Sequence, residues 1–285
     1  MLLTATPPFE WRSFEAFLAA RVIPGIEAVD EATGQYRRSV RIDDASGTIV
    51  VGEAGADALK VTVPGPAFEV PAVRDRFRRW FDLDADVPAI DAHLGADPLL
   101  APLVAARPGI RAAGAWDPFE LAIRAIVGQQ ISVTGARTIT GRIVERSGDR
   151  LASPVGTVVA LFPTPVQLAE ADLAAIGMPA TRVRTIQNLA SAVAANPALL
   201  DATGDLDADV ARLRELPGVG EWTAQYIALR ALKHPDAFPA SDIGILRALA
   251  GPDGHRPTPA EALDRAERWR PYRAYAAQHL WSATA

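Results

Sequence analysis

The residue with the clearest chemical promise is Asp242. It follows a Pro-rich loop, His234-Pro235-Asp236-Ala237-Phe238-Pro239-Ala240-Ser241, and precedes an apolar-periodic run, Ile243–Ala250. That order places it in the first turn of a helix, where the helix dipole favours an ionised carboxylate. An isolated Asp at such a position is most often just a helix-starting residue, so its neighbours decide. Upstream, Leu216-Pro217-Gly218-Val219-Gly220 separates two amphipathic stretches. Two glycines around one aliphatic residue permit a tight hairpin and let a foreign surface approach bare backbone. The N–H groups of Gly218, Gly220 and the turn opening at Glu221 then form an anion site suited to a phosphate. Taken alone, the pentapeptide fits an ordinary helix–helix turn equally well. A hairpin, one helix, a Pro-rich loop and then an Asp, all between residues 216 and 242, is a far less common combination.

Other chemistries find little support. With Cys 0 there is no disulfide, no thiolate zinc site and no cysteine-ligated iron–sulfur cluster. His93, His234, His255 and His279 show no metal-ligand spacing and read as structural or surface residues. Lys233, at the far end of the helix that starts at Glu221, reads as a solvated C-terminal cation. The net charge of −5 argues only weakly against nucleic acid, because backbone N–H groups and a few local cations can hold phosphates. No signal peptide or membrane span is expected, which suggests a cytoplasmic protein.

These residues must be held by a scaffold, and the chain predicts an α+β one. Trp11, Phe14, Phe17, Leu18 and Val22 have helical spacing. Ser39–Ile42 and Leu59–Val63 alternate with period two, Gly47–Val51 is β-branched, and Asp44-Ala45-Ser46-Gly47 supplies a turn. A small antiparallel sheet with helices over residues 1–88 is expected, closing with a helix around Arg74–Phe81. Residues 89–285 read as all-α, in two lobes: 113–233, and 89–112 with 234–285. Start signals recur at Asp117-Pro118-Phe119-Glu120, Thr164-Pro165-Val166-Gln167 and Thr258-Pro259-Ala260-Glu261, each a capping box with Pro at the first helical position.

The stretch LPGVGEWTAQYIALRAL…DAFPASDIGILRAL resembles the helix-hairpin-helix DNA glycosylase superfamily. Together with FEWRSFEAFLAARVIPGIEAV, DPFELAIRAIVGQQISVTGARTITGRIVERSG, FPTPVQLAEADLAAIGMPATRVRTIQNLA and ERWRPYRAYAAQHLW, it is more closely similar to the bacterial 3-methyladenine DNA glycosylase II family, over nearly the whole chain. The resemblance implies a helix-hairpin-helix glycosylase core behind the small sheet, acting as a monomer on double-stranded DNA with alkylated bases. It makes Asp242 the catalytic carboxylate and places Trp222, Tyr226, Trp281 and Phe17 around a flipped base. It assigns DNA contacts to Gly218, Val219, Gly220 and Gln130. No cofactor is required, though carbonyls of Arg214, Leu216 and Val219 are implied ligands of an alkali cation at the hairpin. Bifunctional relatives carry a Schiff-base Lys where this chain has Trp222, which implies hydrolysis without strand cleavage. Two positions depart from the family pattern. Ile243 stands where an aromatic is often found, and Gln130 replaces an apolar wedge; both bear on substrate breadth. Three other readings remain open from the residues themselves: a DNA-binding module without catalysis, a glycosylase/lyase for oxidised bases, and a helical protein-interaction domain.

Overall fold

Alternating apolar residues build the N-terminal sheet. In the computed structural model, which describes residues 1–251 and 253–284, strands β1 (Leu2–Thr4), β2 (Glu27–Asp30), β3 (Gln35–Ile42), β4 (Ala45–Glu53) and β5 (Ala58–Thr62) pair antiparallel in the order β1-β5-β4-β3-β2. Leu3, Tyr36, Val40, Ile49, Val51, Leu59 and Val61 are buried, as period two requires for one covered face. Helix α1 (Trp11–Ala19) packs on β2 and β3 and buries Trp11, Phe14 and Leu18, spaced i, i+3, i+7.

Three features of this region differ from the sequence expectation. The β3–β4 turn is Asp43-Asp44, with Asp43 at φ 49° and Ile42 paired to Ala45, so Ala45–Gly47 belong to a strand. Strands β1 and β2 are too short to show a period of their own. A further antiparallel pair, β6 (Arg150–Val155) and β7 (Val158–Ala160), lies within the stretch read as all-helical.

The remaining elements are helices: α2 (Pro71–Phe81), α3 (Val87–Leu94), α4 (Ala101–Ala106), α5 (Pro118–Val127), α6 (Val133–Ser147), α7 (Pro165–Glu170), α8 (Ala180–Ala195), α9 (Leu206–Arg214), α10 (Glu221–Arg230), α11 (Ile243–Ala248), α12 (Pro259–Ala266) and α13 (Arg273–Ser282). Thr164 and Thr258 form reciprocal capping boxes with Gln167 and Glu261, while Asp117 accepts from the backbone N–H groups of Phe119 and Glu120. No helix of the described residues is long and apolar enough to cross a membrane.

The chain forms two compact units whose borders do not follow a single cut near residue 88. One holds Met1–Ala5, Phe9–Arg78 and Ala122–Leu199. Within it, a fully buried Glu27 accepts from the Tyr36 hydroxyl and the Arg124 guanidinium, each at 2.7 Å, with Arg38 at 3.6 Å. Burial raises the Glu27 pKa, but the two guanidinium groups outweigh it and the net shift is downward. The other unit holds Thr6–Pro8, Arg79–Leu121 and Leu200–Ala285. In it α13 packs on α4 and α11, and its buried Ala274, Ala276 and Ala277 allow close helix approach.

Candidate active site

The hairpin joins α9 to α10 around one buried side chain. Val219 points inward and is 6% exposed, whereas Gly218 and Gly220 on either side are exposed. Gly218 has φ 89°, a left-handed conformation that side chains disfavour. Gly220, by contrast, is the N-cap of α10 at φ −88°, ψ 178°, which any residue could adopt. A Cβ at Gly220 would meet nothing of this chain within 4 Å. Nothing inside the molecule therefore demands glycine at 220, and the bare backbone is open to an outside surface. The Leu216 carbonyl accepts the Val219 N–H at 3.0 Å, closing the turn. Arg214 and Glu221, both exposed, pair at 3.0 Å across the hairpin. Beneath it, the buried Asp209 of α9 meets Nε2 of His234, in the loop after α10, at 2.6 Å, a buried Asp–His contact between the first hairpin helix and the loop that leads to Asp242. Burial pushes Asp209 up, yet its hydrogen bonds with His234 and Thr203 prevail and its pKa is lowered.

Downstream of α10, Asp242 is the N-cap of α11, one residue before the helix proper. Its Oδ1 accepts the backbone N–H groups of Gly244 at 2.9 Å and Ile245 at 3.2 Å. The same oxygen accepts Trp281 Nε1–H at 2.8 Å, and Oδ2 accepts Trp222 Nε1–H at 2.8 Å. Trp222 lies in the first turn of α10, and Tyr226, one turn on, stacks against it with ring centroids 5.3 Å apart and planes 16° from parallel. Tyr226 in turn meets Trp281 edge-on at 6.1 Å and 60°. The structure thus brings together Asp242, Trp222, Tyr226 and Trp281. Direct ring contact between Trp222 and Tyr226 leaves space for a flat ligand outside the pair and none between its members.

Gly244 was not singled out from sequence, yet it shapes this cluster. A Cβ there would stand 3.0 Å from Trp281 Cδ1 and 3.1 Å from Asp242 Oδ1. Its absence lets the indole lie directly on the first turn of α11. Ile243 is 53% exposed, on the opposite side of that turn from the buried Ile245.

Two expected site residues belong to the other compact unit. Phe17, half-buried on α1, carries the Arg21 guanidinium 4.0 Å above its ring centroid. Gln130 is exposed in the turn between α5 and α6 at φ 60°, flanked by exposed Ile131 and Val133. A left-handed Gln is strained, and such strain persists where the surrounding turn imposes it.

Lys233 corrects the sequence reading. Rather than a solvated cation, it is largely buried, with its Nζ 2.8 Å from Asp82 Oδ1 and a second hydrogen bond to the Ala112 carbonyl. Burial lowers its pKa, against the opposing charge of Asp82. Among the described residues no group of three or more His, Cys, Asp or Glu side chains could hold a metal ion.

Comparison with known proteins agrees with this geometry. Residues 1–117 match the AlkA N-terminal domain, and residues 123–272 match the HhH-GPD superfamily base excision DNA repair protein. The chain is 39% identical over 281 residues to the probable bifunctional transcriptional activator/DNA repair enzyme AlkA of Mycobacterium tuberculosis, covering 98% of this chain and 56% of that protein. It therefore spans little more than half the length of that relative. It is 34% identical to DNA-3-methyladenine glycosylase 2 of Escherichia coli, covering 96% of this chain and 94% of that one. In fold it is similar to the 3-methyladenine DNA-glycosylase from Archaeoglobus fulgidus, with TM-score 0.85 and 21% identity over 99% of this chain and 97% of that one. The helix-hairpin-helix, the loop ending in a capping Asp and the family matches agree: the chain belongs to the HhH-GPD superfamily of base excision DNA repair proteins.

Proposed function

We propose that this chain is a monofunctional DNA glycosylase that extrudes and hydrolytically excises alkylated purines, of the 3-methyladenine and 7-methylguanine type, from duplex DNA. The observation that carries the reading is the carboxylate of Asp242, held at a helix N-terminus inside a cluster of three aromatic rings. Breaking an N-glycosidic bond builds oxocarbenium character on the deoxyribose. A fixed carboxylate beside C1′ stabilises that charge and can orient the attacking water. The groups bonded to Asp242 are two indoles and two backbone amides, none of which is an acid that could protonate a leaving base. Catalysis then depends on how well the base already leaves, and a cationic alkylated base leaves as a neutral molecule. The aromatic faces favour the same substrates, since a cationic ring gains roughly 0.5–2 kcal/mol over a neutral one. Relatives named as DNA-3-methyladenine glycosylases support this substrate class.

The remaining assignments are part of the same proposal. The amides around Gly218, Val219 and Gly220 receive a phosphate, and Gln130 enters the gap left by the flipped base and hydrogen-bonds the orphaned partner. Trp222, Tyr226 and Trp281 receive the base. Carbonyls of Arg214, Leu216 and Val219 ligate an alkali cation shared with the phosphate. The fit is reasonable at Leu216, whose carbonyl keeps a second lone pair after accepting the Val219 N–H. Base release at saturating enzyme, from otherwise identical duplexes, tests the reading. The expected order is 3-methyladenine and 7-methylguanine well ahead of hypoxanthine and 1,N6-ethenoadenine, with 8-oxoguanine essentially untouched. If a neutral lesion leaves fastest, the acid-free mechanism is wrong.

A further inference from the structure

The indole N–H groups of Trp222 and Trp281 do something that their ring faces alone do not require. Each donates to a different oxygen of Asp242, both at 2.8 Å. A carboxylate on Cβ can rotate about χ2, and a capping Asp normally fixes only the oxygen that receives the backbone amides. Here the capping oxygen, Oδ1, also receives Trp281, and Trp222 holds Oδ2, so rotation of the carboxylate plane about χ2 is restrained at both oxygens. The two indoles come from different helices, α10 and α13, and grip the carboxylate from two directions. Two local features are arranged to permit this. Gly244 lacks the Cβ that would press on Trp281 Cδ1 at 3.0 Å, and Tyr226 touches both indoles, stacked on one and edge-on to the other.

From this geometry we infer that Trp222 and Trp281 are positioning residues for Asp242, acting through their Nε1–H groups, and that Gly244 is the residue that admits the Trp281 donor. The inference rests on the reading of Asp242 as the carboxylate that faces the sugar, and it deepens that reading. A charged hydrogen bond holds direction as well as charge. With both oxygens fixed, the carboxylate plane is set before DNA arrives and needs no reorganisation as positive charge develops at C1′. It follows that the walls of the base site and the group that does the chemistry form one hydrogen-bonded unit. Displacing either indole, by a base seated badly against it, also displaces an oxygen of Asp242. A base too bulky or wrongly seated is thereby coupled to a misdirected carboxylate, which gives the site discrimination in the chemical step.

The test separates the N–H from the ring. Trp222→Phe and Trp281→Phe each keep an aromatic face and lose the donor, and Gly244→Ala keeps every hydrogen-bonding group but crowds Trp281. Single-turnover release of 7-methylguanine is measured for each in the wild-type background and in an Asp242→Asn background. Each Phe variant should slow release about tenfold or more, the weight of a hydrogen bond to a charged group. In the Asp242→Asn background the same change should cost less than about twofold, because the effect passes through the carboxylate. Gly244→Ala should behave as a milder Trp281→Phe. Equal losses in both backgrounds would show that the rings act on the base directly and would overturn the inference, as would wild-type rates in the Phe variants. A second readout needs no catalysis. The two indole Nε1–H resonances of the free protein should be protected from solvent exchange and lose that protection in Asp242→Ala. Unprotected indoles in the wild type refute the positioning role. Protected indoles in a protein that releases no base instead refute the glycosylase reading.

Discussion

The ε-amino group of Lys233 lies 2.8 Å from Oδ1 of Asp82, whose Oδ2 accepts the Tyr275 hydroxyl at 2.9 Å and the Ala112 amide at 3.1 Å. Lys233 follows α10 and Tyr275 lies on α13, so one buried carboxylate ties together the two helices that carry Trp222 and Trp281. Burial beside this carboxylate also raises the Tyr275 pKa, which keeps its hydroxyl a donor. Removing the cation with Lys233→Met should strand the Asp82 carboxylate and cost about 3–5 kcal/mol, measured by urea unfolding. Tyr275→Phe, which removes one donor, should cost about 1.5–3 kcal/mol. Because its amine is engaged, Lys233 should not serve as a nucleophile. Borohydride should trap no enzyme–DNA adduct, and product strands should break only on alkali or heat treatment. An efficient trapped adduct would contradict both the sequestered amine and the monofunctional assignment.

Asp242→Asn removes the charge and keeps the cap. Its amide oxygen can still accept the Gly244 and Ile245 N–H groups, but its NH2 cannot accept the Trp222 N–H, so stability should fall by about 1–3 kcal/mol, whereas Asp242→Ala loses the cap as well. Single-turnover excision by the Asn variant should fall about 10²-fold or more, with binding to an abasic-site duplex nearly unchanged. Wild-type excision by Asp242→Asn would remove Asp242 from the chemistry.

Gly220→Asp probes the hairpin. The backbone there accepts any residue and a Cβ has open space within the chain, so folding should be unaffected. Affinity should fall for damaged and undamaged duplexes alike, because a carboxylate would stand where a phosphate is proposed to sit. Unchanged affinity in a titration at moderate salt would mean that the hairpin faces something other than DNA. The salt dependence of wild-type binding should be shallow for a DNA protein, since backbone amides replace many side-chain cations.

His279 on α13 should confer a pH dependence on stability. It is fully buried, and desolvation lowers its pKa, with Asp91 at 3.8 Å pulling the other way less strongly. The unfolded chain therefore binds the proton more readily than the folded one. The stabilisation is complete above the unfolded value of about 6.5 and is lost progressively as pH falls below it. The melting temperature should drop between pH 7.5 and 5.5, and the drop should be smaller in His279→Gln. Parallel curves for the two proteins would show that His279 titrates alike in both states.

What could be read from sequence was whatever is encoded over short distances. The hairpin, the helix after it and the loop to Asp242 occupy consecutive residues, and each uses local signals: glycine, proline and a capping side chain. The capping boxes at Thr164 and Thr258 were legible for the same reason. Lys233 was misread because a lysine ending a helix usually points to water, and nothing near it in sequence announces Asp82. The strands β1, β2 and β7 span three or four residues each, too few for a period to emerge, and they form because neighbours supply the register. The indole contacts with Asp242 were hidden in a different way. The residue types were evident, but which edge of a ring meets which oxygen depends on how α10, α11 and α13 pack.

Neither compact unit is a single stretch of chain, and this has a consequence for synthesis. The first needs residues up to Leu199, whereas the second combines Thr6–Pro8 and Arg79–Leu121 with everything from Leu200 onward. A nascent chain can therefore complete the sheet-bearing unit while the other still lacks most of its helices. At roughly 5–20 residues per second, the wait is on the order of ten seconds. During it Phe81, Leu83, Leu94 and Leu100, all fully buried in the finished molecule, belong to a unit that still lacks α9 to α13. Asp242 emerges with only one of its two indole donors, and Trp281 arrives later, with α13. Both oxygens of Asp242 are thus held by indole N–H groups only once α13 has been made, and a chain stalled before α13 carries the hairpin without the Trp281–Asp242 contact.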